Sequence, residues 1–169
     1  MEKIGKLGII AGYGFLPRHV FDAAKEKKIN TVLVTLKNET EDHMFADVEH
    51  LSFPVYKVSK ILKALKESGV THITFAGKVR RAELSRLLVD IKGAKLFAKI
   101  IAAGLSDNSI LSTIMKFMED EGFEIVAPES IAQNVVLPKG HIGKIKPDEN
   151  ALSDIKKGFK VLKSVADFD

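Results

Sequence analysis

The 169 residues predict an α/β fold, a doubly wound and mainly parallel sheet with helices on both faces. Short apolar runs alternate repeatedly with amphipathic stretches, and parallel strands joined by helices need right-handed crossovers. The first apolar run, Ile4 to Ala11, passes straight into a glycine turn and a helix start, as the ligand end of such a sheet would. No internal repeat or low-complexity segment competes with this pattern.

Gly12 and Gly14 carry no Cβ, so the chain can turn sharply there and approach a bound group closely, while Pro17 fits the first turn of a helix. Val20, Phe21 and Ala24 give that helix, Pro17 to Lys27, one apolar face. Ile29 to Leu36 is nearly continuous in apolar, β-branched residues and predicts a second, fully covered strand. Lys37 to Asp47 is polar and predicts a loop; Pro54 places the extended piece around Leu51 to Tyr56 at a sheet edge. Val58, Ile61, Leu62 and Leu65 define a helix over Lys57 to Ser68, ended by Gly69 in the left-handed conformation.

Val70 to Ala76 predicts the next strand and delivers Gly77-Lys78-Val79-Arg80-Arg81 at its carboxyl end. Leu84 to Gly104 has a helical pattern with an expected break at Gly93. Ser106 or Asp107 caps a further helix that stops at Gly122. Phe123 to Ala127 predicts a buried strand closed by Pro128, and Ile131 to Ile145 a loop. Pro147 to Val165 predicts a last amphipathic helix through Leu152, Ile155, Phe159 and Leu162. The organisation expected is a ligand-binding domain over residues 1–145 and a linker helix over 146–169.

Composition narrows the function classes. With 46% hydrophobic and 28% charged residues the chain is an ordinary globular protein. The absence of cysteine removes disulfides, thiolate metal sites and cysteine nucleophiles, and fits a reducing compartment. The net charge of +4 comes from scattered lysines, without tryptophan and with two tyrosines, so no nucleic-acid partner is expected. The five histidines show no metal-ligand spacing; only His19 lies near the presumed crevice.

Two loops therefore carry the candidate site. Gly12, Gly14, Phe15 and Leu16, with Pro17 in the first helical turn, offer backbone N–H groups at a helix start, which attracts phosphate; the segment Gly77, Lys78, Val79 and Arg80 offers two cations, Arg by a bidentate fork and Lys as a point charge. A tight strand-to-helix turn alone is the alternative reading of the glycines. Pro17 stands where a dinucleotide fingerprint has its third glycine, and Leu36-Lys37-Asn38 lacks the ribose-binding carboxylate, so NAD is not expected. Asp107 and Asn108 suit either a magnesium ion or a cap.

Gly8 to Pro17, Phe75 to Arg81, Glu121-Gly122-Phe123 and the Asp154 to Gly158 spacing together resemble the LpxI-type UDP-2,3-diacylglucosamine pyrophosphatases of lipid A biosynthesis. The resemblance runs from about residue 5 to the end of the chain and implies a Rossmann-like domain. It also implies hydrolysis of UDP-2,3-diacylglucosamine to lipid X and UMP, in a cleft between two domains, with a divalent metal such as magnesium. It places the protein in the cytoplasm, with peripheral contact at the inner membrane, and allows a homodimer. Members of the family are longer, with the catalytic acid in a C-terminal domain expected to begin near Ala166 to Asp169. They show Gly-Asp-Asp where this chain has Ser106-Asp107-Asn108, so Asp107 is the metal ligand implied, while the role of Asn108 stays open. A shortened chain, a natural short or split enzyme, and a non-catalytic sugar-nucleotide-binding or regulatory remnant all fit.

Overall fold

The computed structural model describes residues 4–79, 86–133 and 143–166. It divides into two compact units, Met1–Val136 and Leu137–Asp169. The first contains a parallel sheet of five strands in the order β3-β2-β1-β4-β5. β1 (Leu7–Ala11) is central and buried along its whole length. β2 (Thr31–Leu36) pairs on one side, from Leu7↔Thr31 to Ala11↔Thr35. β4 (His72–Ala76) pairs on the other, from Leu7↔His72 to Ala11↔Ala76. The strand order reverses between β1 and β4, which opens a crevice at their carboxyl ends.

The period of two in β1 explains why it is apolar throughout. Leu7, Ile9 and Ala11 face one layer with α1 (Leu16–Glu26), where Val20, Phe21 and Ala24 close the core. Ile10 faces the other layer, built from α2 (Val58–Glu67), α3 (Ile91–Ala103) and α4 (Asp107–Asp120). Leu65 of α2 is fully buried there, and burying a leucine contributes about 2–3 kcal/mol. Gly69, at φ +70, turns the chain out of α2, as its position predicts.

β3 (Leu51–Phe53) is an edge strand on β2, in keeping with Pro54 directly after it.

Four expectations need correction. The stretch after β2 is not simply a loop: the 3-10 turn Asp42–Phe45 buries Met44 and Phe45, and the Phe45 ring meets Phe21 edge to face at 6.1 Å. The break in the helical stretch falls at Asp90, the N-cap of α3, and Gly93 lies inside the first turn. A Cβ on Gly93 would run into the Leu87 carbonyl, so this glycine permits the turn that precedes the helix; Leu84 lies outside the described residues. β5 (Glu124–Ile125) is a short, partly exposed edge strand, not the buried strand expected, because it pairs on β4 alone. Pro128 opens a short helix, α5 (Pro128–Ile131), and Ile131 and Ala132 are core residues beneath α1. The second unit carries α6 (Glu149–Ala166).

Candidate functional site

The loops after β1 and β4 meet at the carboxyl edge of the sheet. Gly12 N–H donates to Ala76 O at 2.8 Å, Tyr13 N–H to Lys78 O at 2.8 Å, and Lys78 N–H to Tyr13 O at 3.0 Å. This antiparallel bridge joins the two predicted segments into one structure. Its closeness accounts for two glycines. A Cβ on Gly12 would lie under 3.0 Å from the Lys78 carbonyl oxygen, and one on Gly77, at φ +89, would lie 2.6 Å from the Tyr13 carbonyl oxygen. Pro17 packs beneath, with its Cγ 3.0 Å from that same Gly77 position.

Gly14 differs from both. Its φ is +96, yet among the described residues, its two chain neighbours aside, no atom lies within 4 Å of where a Cβ would stand, so the space before it is open with respect to them. α1 starts immediately after, with Phe15 as N-cap and no side-chain cap. The first N–H groups turned back into the helix are those of Arg18 and His19, both donating to Phe15 O. The N–H groups ahead of them point out of the helix end, and the helix dipole adds positive potential there. Gly14 and α1 thus present an open, anion-attracting surface.

Around it, Phe15 is 73% exposed, Tyr13 55% and Val79 40%; Lys78 and Gly77 are exposed, while Leu16 is half-buried and Pro17 buried. Arg80 lies outside the described residues. The edge therefore combines aromatic and aliphatic surface with one described lysine.

Further residues that the sequence reading did not single out brace this edge. At the end of β2, Asn38 adopts φ +66, and the Thr40 hydroxyl donates to Ala11 O at 2.5 Å while accepting the Leu36 N–H at 2.8 Å. Glu39, beside it in the turn, is only 3% exposed. Arg18, in the first turn of α1, forks onto Asp47 at 2.7 and 3.2 Å and donates to Met44 O at 2.8 Å. Hydrogen bonds to Asp47 and Asp22 raise the Arg18 pKa, and Arg18 in return holds the Asp47 carboxyl below the usual range.

The β4–α3 connection is anchored at its far end as well. The Arg86 guanidinium lies 5.6 Å from the centre of the Tyr56 ring, and Leu87 is buried in the core. The Asp90 carboxylate accepts the Ser59 hydroxyl at 2.6 Å, the Ser59 N–H at 3.1 Å and the Gly93 N–H at 3.0 Å, so the starts of α2 and α3 share one acid. Burial pushes the Asp90 carboxyl up, but these bonds and one from the Lys92 N–H outweigh it and hold it below the usual range.

Of the two capping candidates, Ser106 is the N-cap of α4, accepting the Ser109 N–H, and Asp107 is the exposed first residue of the helix. Among the described residues no group of three or more His, Asp or Glu side chains could hold a metal, so Asp107 is not part of such a cluster there. His19 is exposed on α1; His72 stands at the opposite, amino edge of the sheet, with its Nε2 3.3 Å from Glu124. Among the described residues no helix is long and apolar enough to cross a membrane.

Strand order, bridge and open helix start define a Rossmann-like α/β domain with an anion-attracting carboxyl edge. The family model described as the LpxI N-terminal domain matches residues 6–135, and the chain belongs to that family. It is 31% identical over 170 residues to the UDP-2,3-diacylglucosamine pyrophosphatase LpxI of Caulobacter vibrioides, a match that covers 97% of this chain. The chain spans 59% of the length of that relative. Two solved structures of leucoanthocyanidin reductase from Vitis vinifera, one a ternary complex and one with NADPH, align at a TM-score of 0.41. Each shares 13% identity over 73% of this chain and 46% of its own, so the fold stands on strand order and register instead.

Proposed function

We propose that this chain is the substrate-binding part of a UDP-2,3-diacylglucosamine pyrophosphatase, an enzyme of lipid A biosynthesis that releases lipid X and UMP. The observation that carries this reading is the open space at Gly14, directly before the α1 start and beside the bridged Lys78. A diphosphate there meets oriented N–H groups and a cation, the donors that suit phosphate. The likeness to the Caulobacter vibrioides pyrophosphatase supports the substrate class.

In this reading Gly12 and Gly77 fix the bridge, while Gly14, Phe15 and Leu16 form the phosphate-facing turn on Pro17. Lys78 and Arg80 supply charge, and Tyr13, Phe15 and Val79 supply apolar surface for the base or sugar. This reading uses no nicotinamide dinucleotide, since Pro17 stands where the dinucleotide fingerprint has its third glycine. The magnesium of the complete enzyme takes Asp107 as one ligand, and among the described residues no group of three or more His, Asp or Glu side chains completes its shell. The remaining ligands and the catalytic acid come from a C-terminal domain, and the reaction takes place in the cytoplasm.

A second reading, a non-catalytic sugar-nucleotide-binding or regulatory module, draws on the same observation of a binding edge without a carboxylate cluster among the described residues. Release of UMP from UDP-2,3-diacylglucosamine with magnesium separates the two. The chain is assayed alone and joined to the remaining part of its Caulobacter vibrioides relative. Turnover only in the joined protein supports the first reading; binding without turnover in both supports the second. Turnover by the chain alone, lost in Asp107→Ala, overturns both.

A further inference from the structure

The hydrogen-bond ladder between β1 and β2 begins regularly, with Leu7 N–H donating to Asn30 O at 2.8 Å. In a parallel ladder of the register Leu7↔Thr31 to Ala11↔Thr35, alternate residues of one strand bond the two positions that flank their partner, so the rung at the carboxyl end runs from Leu36 N–H to Ala11 O. A side chain stands between those two groups. The Thr40 hydroxyl accepts the Leu36 N–H at 2.8 Å and donates to Ala11 O at 2.5 Å, and the residue is only 6% exposed. Thr40 N–H donates in turn to Leu36 O at 2.8 Å, so both backbone groups of Leu36 hold the threonine in place.

The inserted hydroxyl bears on the turn that follows. Ala11 O belongs to the same planar peptide as Gly12 N–H, which donates to Ala76 O of β4 at 2.8 Å. One peptide plane is thus held from the β2 side by Thr40 and from the β4 side by Ala76. Its tilt sets the direction in which Gly12, Tyr13 and Gly14 leave the strand.

We propose that Thr40 is a positioning residue for the phosphate-facing turn: standing in the last β1–β2 rung, its hydroxyl fixes the Ala11–Gly12 peptide and with it the aim of the N–H groups at Gly14 and the α1 start. The inference rests on the reading of this edge as a phosphate site, and Thr40 acts on the ligand only through that peptide. The position demands one group that accepts and donates at once away from water; a hydroxyl does both, and the methyl of an isosteric valine does neither. In Thr40→Val the Leu36 N–H and Ala11 O are either left unpaired or close directly on each other, and in both cases the peptide plane turns.

The test is isothermal titration of UMP into the 169-residue chain and into Thr40→Val, Thr40→Ser and Thr35→Val, with residue-resolved amide hydrogen exchange and thermal melting on each. Thr35→Val is the control, since it removes a buried β2 hydroxyl that reaches only Leu51 O, at 3.5 Å. Thr40→Val binds UMP about fivefold or more weakly, while Thr40→Ser, which keeps the donor and acceptor, and Thr35→Val stay within about twofold of the unaltered chain. Exchange in Thr40→Val rises at the Gly12 and Tyr13 amides by about tenfold relative to Ile9 and Ile10, the local pattern that general destabilisation does not produce. If Thr40→Val does not fold, Thr40→Cys, similar in size with a weak donor, takes its place with the same expectation. Unchanged affinity in the folded variant overturns the role of Thr40 and leaves the phosphate edge standing. An equal loss in Thr40→Ser, or an exchange increase spread evenly along β1, overturns it too, because packing alone then accounts for Thr40. No binding of UMP by the unaltered chain overturns the phosphate edge and this role together.

Discussion

Tyr13 and Lys78 exchange both of their backbone hydrogen bonds, at 2.8 and 3.0 Å, and so lock the loop after β1 to the loop after β4. The bridge depends on two residues without side chains. Gly12→Ala places a methyl group against the Lys78 carbonyl, where neither backbone can yield without losing the bridge. Two backbone bonds and a steric clash together amount to a loss of about 2–3 kcal/mol. Urea denaturation measures it, and a change below about 0.5 kcal/mol would show that the loops separate freely.

Gly14→Ala gives the opposite balance. Among the described residues no atom beyond the chain neighbours stands within 4 Å of the new methyl, and the strain is that of the positive φ, about 1–2 kcal/mol. The same denaturation series should therefore rank Gly12→Ala as more damaging than Gly14→Ala. The reverse order would contradict the division of labour between these two glycines.

Thr74 lies at the centre of β4, fully buried, and its hydroxyl has no hydrogen-bond partner among the described residues. Replacing it by valine keeps the shape and removes an unsatisfied polar atom, so Thr74→Val should stabilise the domain by about 1 kcal/mol. Melting should rise by about 2–4 °C. A fall instead would mean that a buried water serves the hydroxyl.

Asp90 makes stability depend on acidity. Its folded pKa lies below the unfolded value, so in the interval between the two the unfolded chain binds more protons and stability increases with pH. The contribution is fully present above the unfolded value, about 4, and is lost as pH falls through the folded one. Glu121 has the same sign, held down by hydrogen bonds from Lys92 and Lys66 against the cost of burial. Asp90→Ala should cost about 1–2 kcal/mol near neutrality, through the lost α3 cap and the Ser59 bonds, and should flatten the stability profile below about pH 4. Urea midpoints across that range test it; parallel profiles for both proteins would contradict the role given to Asp90.

The local signals in the sequence located elements well. Apolar runs marked β1, β2 and β4, Gly69 marked the end of α2, and Pro54 marked an edge. What the sequence did not reveal depends on long-range partners. Ser59 and Asp90 are 31 positions apart, and nothing in either neighbourhood announces their bond. Met44 and Phe45 were hidden by the polar residues around them, although two adjacent large apolar side chains in a loop are a signal of anchoring. The apolar run from Phe123 to Ala127 is longer than β5 because such a run does not say how much of it finds a neighbour to pair with. At the site, Gly12 and Gly14 look alike in sequence and part company in space: one accommodates backbone, the other faces open room.

That difference leads to the most direct test of a phosphate-binding edge. Isothermal titration of UMP into the chain and into Gly14→Val compares the open position filled and unfilled, with thermal melting as the check that the variant is folded. The chain should bind UMP, and Gly14→Val should bind at least tenfold more weakly, a loss of about 1.4 kcal/mol or more, while remaining folded. Equal affinity in a folded Gly14→Val, or no binding by the unaltered chain, would contradict the assignment of this edge to a nucleotide phosphate.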